Sequence, residues 1–280
     1  ALAPPLPQDL RERLRGLRPR HAVSAVDHEE RDAVDAVRLR LRLIGAHRGR
    51  EPAGRERLPG RRRIEPDLGG EHRQVVDAAH VTALGEVEDG KHVTRKGAQV
   101  NDLLCVTGNL GAAYMGLLLL EREKKIYMEN PEGQPDLEEQ TYILERFMKP
   151  EAGRQAVNWF RENGIQPSAM IDISDGLSSE IMHICKQSDK GCVVYEEKLP
   201  IHEQTRSNAQ KFGIAASTAA LNGGEDYELL FTVPLSAFAK IQESPLFSVI
   251  GHITAPEEGK TFITNGNNRI ELVAQGWNPL

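Results

Sequence analysis

The pattern of apolar and polar positions divides the chain near residue 80. Beyond that point short apolar runs alternate with longer amphipathic ones, the rhythm of strands and helices. Residues 81–87 and 92–94 read as strands around the turn Glu88-Asp89-Gly90. Residues 102–107 (DLLCVT) form a mostly apolar strand, followed by Gly108-Asn109-Leu110-Gly111. The next helix, over 112–122, is apolar on most sides and is predicted to be buried. A turn-rich loop at 131–135 leads to helices over 137–148 and 151–163, with Ile143, Phe147, Val157, Trp159 and Phe160 as core candidates. Residues 169–173 form a buried strand, and the helix after Gly176 carries Leu177, Ile181, Ile184 and Cys185 along one face. A strand at 191–195, a helix at 202–212 and a strand at 228–233 follow. Strands at 247–253, 261–264 and 270–273 close the series. Alternating strands and helices ending in a run of strands predict an α/β (α+β) fold, a mixed sheet covered by helices.

The first 80 residues have a different composition. They hold 17 Arg and no Lys, and lack Phe, Trp, Tyr, Met, Cys, Asn and Thr. Aromatic side chains supply much of the buried area of ordinary domains, so this segment has little with which to build a core. Residues 39–43 alternate like a strand, but Arg61-Arg62-Arg63 and scattered Pro and Gly predict disorder. A basic arm for an anionic partner is the functional alternative, weakened by interleaved acids. The residue menu matches GC-rich codons read in a wrong frame. The expectation is therefore an atypical Arg-rich segment, disordered or mistranslated.

Charge follows the same division. Residues 1–80 carry +4, from 17 Arg against 13 Asp and Glu. Residues 81–280 carry −10, from 18 Lys and Arg against 28 Asp and Glu, and the chain totals −6. Such a balance argues against nucleic acid as a partner for the whole molecule. The longest apolar run, at 117–120, is far too short to span a bilayer, and no secretory signal is expected. Cys105, Cys185 and Cys192 show no CxxC spacing, and their odd count favours a reducing compartment, with a cytoplasmic location expected, over a structural zinc site.

Three stretches could carry chemistry. In Met170-Ile171-Asp172-Ile173-Ser174-Asp175-Gly176-Leu177 an apolar strand runs into two carboxylates and a hydroxyl, then a helix. Asp172 and Asp175 stand at the carboxyl end of a strand, where α/β sheets bind ligands. Hard oxygen donors there suit Mg²⁺, which keeps waters and takes one or two carboxylates. Ser174 can donate to a phosphate oxygen, while the alternative is a helix cap and a turn. In Asn222-Gly223-Gly224-Glu225-Asp226-Tyr227-Glu228 a glycine turn precedes three acids and an aromatic at a strand entrance. These acids are either solvated or functional. Residues 101–111 place Gly108 and Gly111 between strand and helix, either a phosphate-cradling loop or a tight turn. They lack the G-x-x-x-x-G-K-[ST] arrangement.

Taken together, these stretches resemble thiamine-monophosphate kinase, a family grouped with aminoimidazole ribonucleotide synthetase, selenide dikinase and a hydrogenase maturation protein. The matching text is VTALGEV at 81–87, Arg95-Lys96-Gly97-Ala98 with Asp102, GNLGAA at 108–113, DISDGLSSE at 172–180, GGEDYELLFTV at 223–233 and the closing Gly276-Trp277-Asn278. The resemblance implies a remnant of an amino-terminal ATP-binding domain at 81–100 and a carboxyl-terminal α/β domain at 101–280. It also implies phosphorylation of thiamine monophosphate by ATP with Mg²⁺, in a homodimer. Carried over by motif, Asp172 and Asp175 hold Mg²⁺, Arg95 and Ser174 contact ATP, and Glu225 and Trp277 line the thiamine monophosphate site. The family's amino-terminal Gly-Asp-Asp and Thr-Thr-Asp motifs have no counterpart here, and where its Gly-Gly-Asp-Thr-Thr motif is expected, Gly69-Gly70-Glu71 is followed by His72 and Arg73 in place of the threonines. Impaired activity is therefore expected, with a non-catalytic ligand-binding fragment or a related synthetase as alternatives.

Overall fold

The computed structural model describes residues 87–130, 135 and 137–274. The readings of residues 1–80, the strand expected at 81–87 apart from Val87, most of the loop at 131–135 and Trp277 lie outside the described residues. Residues 87–92 belong to one compact unit and hold the expected turn, in which Lys91 N–H donates to the Glu88 carbonyl at 2.9 Å. The residues from Val93 onward belong to another.

That second unit is a mixed sheet with helices. Strand β1 (Leu103–Thr107) leads into α1 (Ala112–Glu129), α2 (Thr141–Met148) and α3 (Arg154–Glu162). Then come β2 (Ala169–Asp172), α4 (Leu177–Ser188), β3 (Gly191–Tyr195), α5 (Glu203–Lys211) and α6 (Ala216–Asn222). The chain continues through β4 (Leu229–Val233), α7 (Phe238–Glu243), β5 (Phe247–Thr254), β6 (Lys260–Ile263) and β7 (Arg269–Glu271). The strand order is β2-β4-β1-β5-β3-β6-β7. Only the β3–β6 pair among these is parallel.

Period-two alternation sends side chains to both faces, and both faces are buried. Leu104, Val106, Leu230 and Ile250 join Ile181, Ile184 and Cys185 of α4 on one side. Leu103, Cys105, Phe231 and Val233 join Ala156 and Phe160 of α3 and Ile241 of α7 on the other. There Phe160 stacks on Phe247 with centroids 5.2 Å apart and meets Phe231 edge to face at 5.0 Å. Each such fully buried side chain contributes roughly 1.5–3 kcal/mol, so packing rather than helix propensity fixes the short helices. A bulge breaks the β1–β5 register: Leu104 pairs with Gly251 but Cys105 with Val249. The parity of β5 changes there, so Phe247 belongs to one core and Ile250 and Ile253 to the other.

Some boundaries differ from expectation. Helix α1 runs on to Glu129, because the Glu121–Lys125 run that looked like its end consists of good helix formers. Helix α2 starts only at Thr141, since Glu139 takes a left-handed φ of 60°. Val157 is 45% exposed rather than in the core, one residue beyond buried Ala156. Residues 93–94 form no strand, although the Thr94 carbonyl accepts the Met170 N–H at 2.9 Å. Among the described residues no helix is long and apolar enough to cross a membrane.

Candidate active site

The site is built where β2 ends. The four-residue strand is buried at Ala169 and open at Asp172. Past it, the carbonyl of Ile173 accepts the Tyr227 N–H at 2.9 Å, and that of Ser174 accepts the Glu225 N–H at 2.8 Å. The Ile173 N–H in turn donates to the Glu228 carbonyl at 2.7 Å. The β2–β4 pairing thus continues past the strand ends and lays the DISDG and GGEDYE motifs side by side. Two glycines permit this approach. A Cβ on Gly224, at φ 69°, would lie 2.6 Å from the Ser174 carbonyl oxygen. One on Gly176, at φ 112°, would lie 2.8 Å from that of Leu221. Neither backbone atom can yield.

Arg95 comes from the other side. The segment before Ala98 is pinned to α4, since Ser188 Oγ accepts the N–H groups of Gly97 and Ala98 at 3.1 and 3.2 Å. Thr94 is tied to β2 by the Met170 bond. A cleft of about 390 Å³ results, lined among others by Arg95, Asp172, Ser174, Asp175, Glu180 and His183. Four of the six residues singled out from the sequence therefore share one cleft. Glu225 is held against its Ser174 wall by the backbone bond, and Trp277 is outside the described residues.

Glu180 was missed by the sequence reading, although it closes the DISDGLSSE text. It is 1% exposed, and its Oε1 accepts the Asp175 N–H at 3.1 Å and the Ser174 hydroxyl at 3.5 Å. Burial, more than the neighbouring Asp175 charge, pushes its carboxyl up from the usual range. Its other oxygen, Oε2, is buried with no protein partner. A carboxylate four residues after a glycine cap is the available signal: it reaches back over the first turn.

In the second motif the acids divide. Glu225 and Tyr227 are exposed, and the Tyr227 hydroxyl donates to Glu225 Oε2 at 3.1 Å. Burial, then the charges of Glu225, Asp172 and Asp175, raise the Tyr227 phenol above its ordinary value. Asp226 is fully buried and turns inward, accepting the N–H groups of Gly111 at 2.7 Å and Ala113 at 3.4 Å. This settles the loop at 101–111: the amino terminus of α1 is filled by the protein's own carboxylate, so it is not a phosphate cradle. Burial pushes Asp226 up to about 7. Arg146 of α2 donates to the Asp226 carbonyl at 2.8 Å and to Glu228 Oε1 at 2.6 Å, and Thr107 donates to the other Glu228 oxygen.

The donor set is oxygen-rich and suits a hard cation. Among the described residues, no group of three or more His, Cys, Asp or Glu is arranged to hold a metal ion. Asp172 and Asp175, both exposed, are two carboxylates on the cleft wall.

Known proteins resemble this chain over about 70% of its length. An Aquifex aeolicus relative, named thiamine-monophosphate kinase, is 31% identical over 199 residues, covering 70% of this chain and 57% of the relative. The chain is similar to the thiamine-monophosphate kinases. It spans little more than half the length of these relatives, and no family model matches it. The solved structure of AaThiL with AMPPCP and TMP is 30% identical, with a TM-score of 0.51, covering 66% of this chain and 53% of that one. E. coli HypE, a hydrogenase maturation protein, has a TM-score of 0.54 at 16% identity, covering 70% of this chain and 56% of that one. That second likeness shows the fold alone. The likeness to thiamine-monophosphate kinase is the one that bears on the motifs.

Proposed function

We propose that the chain carries the carboxyl-terminal part of a thiamine-monophosphate kinase, serving transfer of a phosphoryl group from ATP to thiamine monophosphate. The observation that carries this is the convergence of Arg95, Asp172, Ser174 and Asp175 on one cleft at a strand end. The binding of an ATP analogue and TMP by the AaThiL relative supports it.

In this reading Arg95 and Ser174 donate to the phosphate oxygens of ATP. Asp172 and Asp175 hold Mg²⁺, which when bound offsets the charge between the two reacting anions. Glu225 and Trp277 take the thiamine monophosphate, Trp277 offering its ring to the cationic thiazolium. Such transfer requires little covalent chemistry from the protein; alignment and electrostatic screening dominate. The backbone bonds between residues 173–174 and 225–228 fix the two ends of the site in one frame. Glu180 holds Ser174 and Asp175 from beneath.

The reading includes a cytoplasmic homodimer. It also includes weak turnover by this chain, because the cleft offers few metal ligands. A non-catalytic ligand-binding fragment is the second reading, favoured by the same shortage. A coupled ADP-release assay run beside a melting curve separates them. Thiamine monophosphate is expected to raise the melting temperature, with slow thiamine diphosphate formation. Binding with no product at all favours the second reading, and no stabilisation by thiamine monophosphate contradicts both.

A further inference from the structure

We propose that Tyr227 is a specificity-determining residue at the acceptor end of the site, its ring taking the cationic ring of the acceptor beside the Glu225 carboxylate. The inference rests on the reading of that acceptor as thiamine monophosphate.

Tyr227 is 38% exposed, while Asp226 before it is fully buried and Glu228 after it is ion-paired to Arg146. The backbone is bent to achieve this. Glu225 has φ 61° and Tyr227 φ 51°, the left-handed region, which a bulky residue rarely adopts. Two such residues flanking Asp226 turn Glu225 and Tyr227 outward and Asp226 inward. The arrangement is fixed at several points. The N–H groups of Glu225 and Tyr227 bond to the carbonyls of Ser174 and Ile173, Arg146 bonds to the Asp226 carbonyl, and the Asp226 side chain is lodged at the start of α1. Uncommon backbone held this firmly is a feature of ligand clamps.

What the clamp presents is an aromatic ring whose hydroxyl is bonded to a carboxylate. A π face in a negative field is the chemistry that recognises an organic cation. An uncharged ring of the same shape would gain the contact area but not the charge interaction. Tyr227 thereby discriminates by charge at the acceptor's ring, remote from the transferred phosphate.

The test is calorimetric titration of the full chain with two ligands. One is thiamine monophosphate, and the other an analogue with a neutral five-membered ring in place of the thiazolium. Mg²⁺ with a non-hydrolysable ATP analogue serves as control. The wild-type chain is expected to prefer the cation by about tenfold, which corresponds to an interaction of ordinary cation–π strength. Tyr227→Leu should cut that preference, leaving only the part that Trp277 and Glu225 supply, with nucleotide affinity unchanged, while Tyr227→Phe should retain it in full. If Tyr227→Leu keeps the wild-type preference, or Tyr227→Phe loses it, the inference is overturned and the kinase reading stands. If the wild-type chain binds no thiamine monophosphate, both fall.

Discussion

Asp226 stands between two residues that face the solvent and itself faces the interior. Its carboxyl is pushed from an ordinary 3.8 up to about 7, because burial outweighs the two N–H groups and the nearby Arg146 charge. Between those pH values the folded chain binds a proton that the unfolded chain has released. The stability this group contributes is therefore fully present below about pH 4 and is lost as pH rises through about 7. At 1.36 kcal/mol per pH unit the change is at most about 4 kcal/mol. Asp226→Asn should remove it, so urea titrations from pH 4.5 to 7.5 should show a flatter pH dependence in the variant than in the wild type. Equal slopes would mean the site is ionised throughout. At this scale the sequence disclosed the residue types but not their directions. Three acids follow Gly224, and nothing in their order says which is buried. That is decided by left-handed backbone at Glu225 and Tyr227, for which L-residues give no local signal. Asp172, Ser174 and Asp175 were legible as candidates because an apolar strand runs straight into them, although the same residues also suited a helix cap and a turn.

At the scale of elements, the site depends on two loops being pressed together. Gly224→Ala places a Cβ 2.6 Å from the Ser174 carbonyl oxygen and adds strain at φ 69°. Gly164 is a control with similar φ, 63°, and nothing within 4 Å of an added Cβ. We predict that Gly224→Ala loses roughly 1–3 kcal/mol more stability than Gly164→Ala, measured by urea unfolding. It should also weaken both nucleotide and thiamine monophosphate binding, since the two motifs are parted. Equal losses at both positions would indicate that only backbone strain matters. The strands read well from the sequence because their apolar runs are short and bounded by turn residues. Helices α6 and α7 were not anticipated. Residues of α6 (ASTAALN) show no apolar periodicity, and α7 has only six residues; both form because the sheet and α4 supply a surface to cover.

For the whole molecule, the sheet with two buried faces is what carries the strand end to the cleft. The alternation of Leu103 to Val106 between two cores was implicit in the all-apolar β1, which suits a strand covered on both sides. The likeness covers 70% of this chain but only 57% of its Aquifex relative, so the chain spans part of such a protein's length. Residues 81–280 carry −10 in all, a field that disfavours approach of a polyanion unless cations screen it. The most direct measurement is titration of the full chain with a non-hydrolysable ATP analogue, with and without Mg²⁺. It should be repeated on the variant carrying Asp172→Ala and Asp175→Ala. Both residues are exposed, so the variant should melt as the wild type does. Mg²⁺-dependent binding is expected, weakening at least about tenfold in the variant. Equal affinity in the two proteins, or wild-type binding indifferent to Mg²⁺, would contradict it.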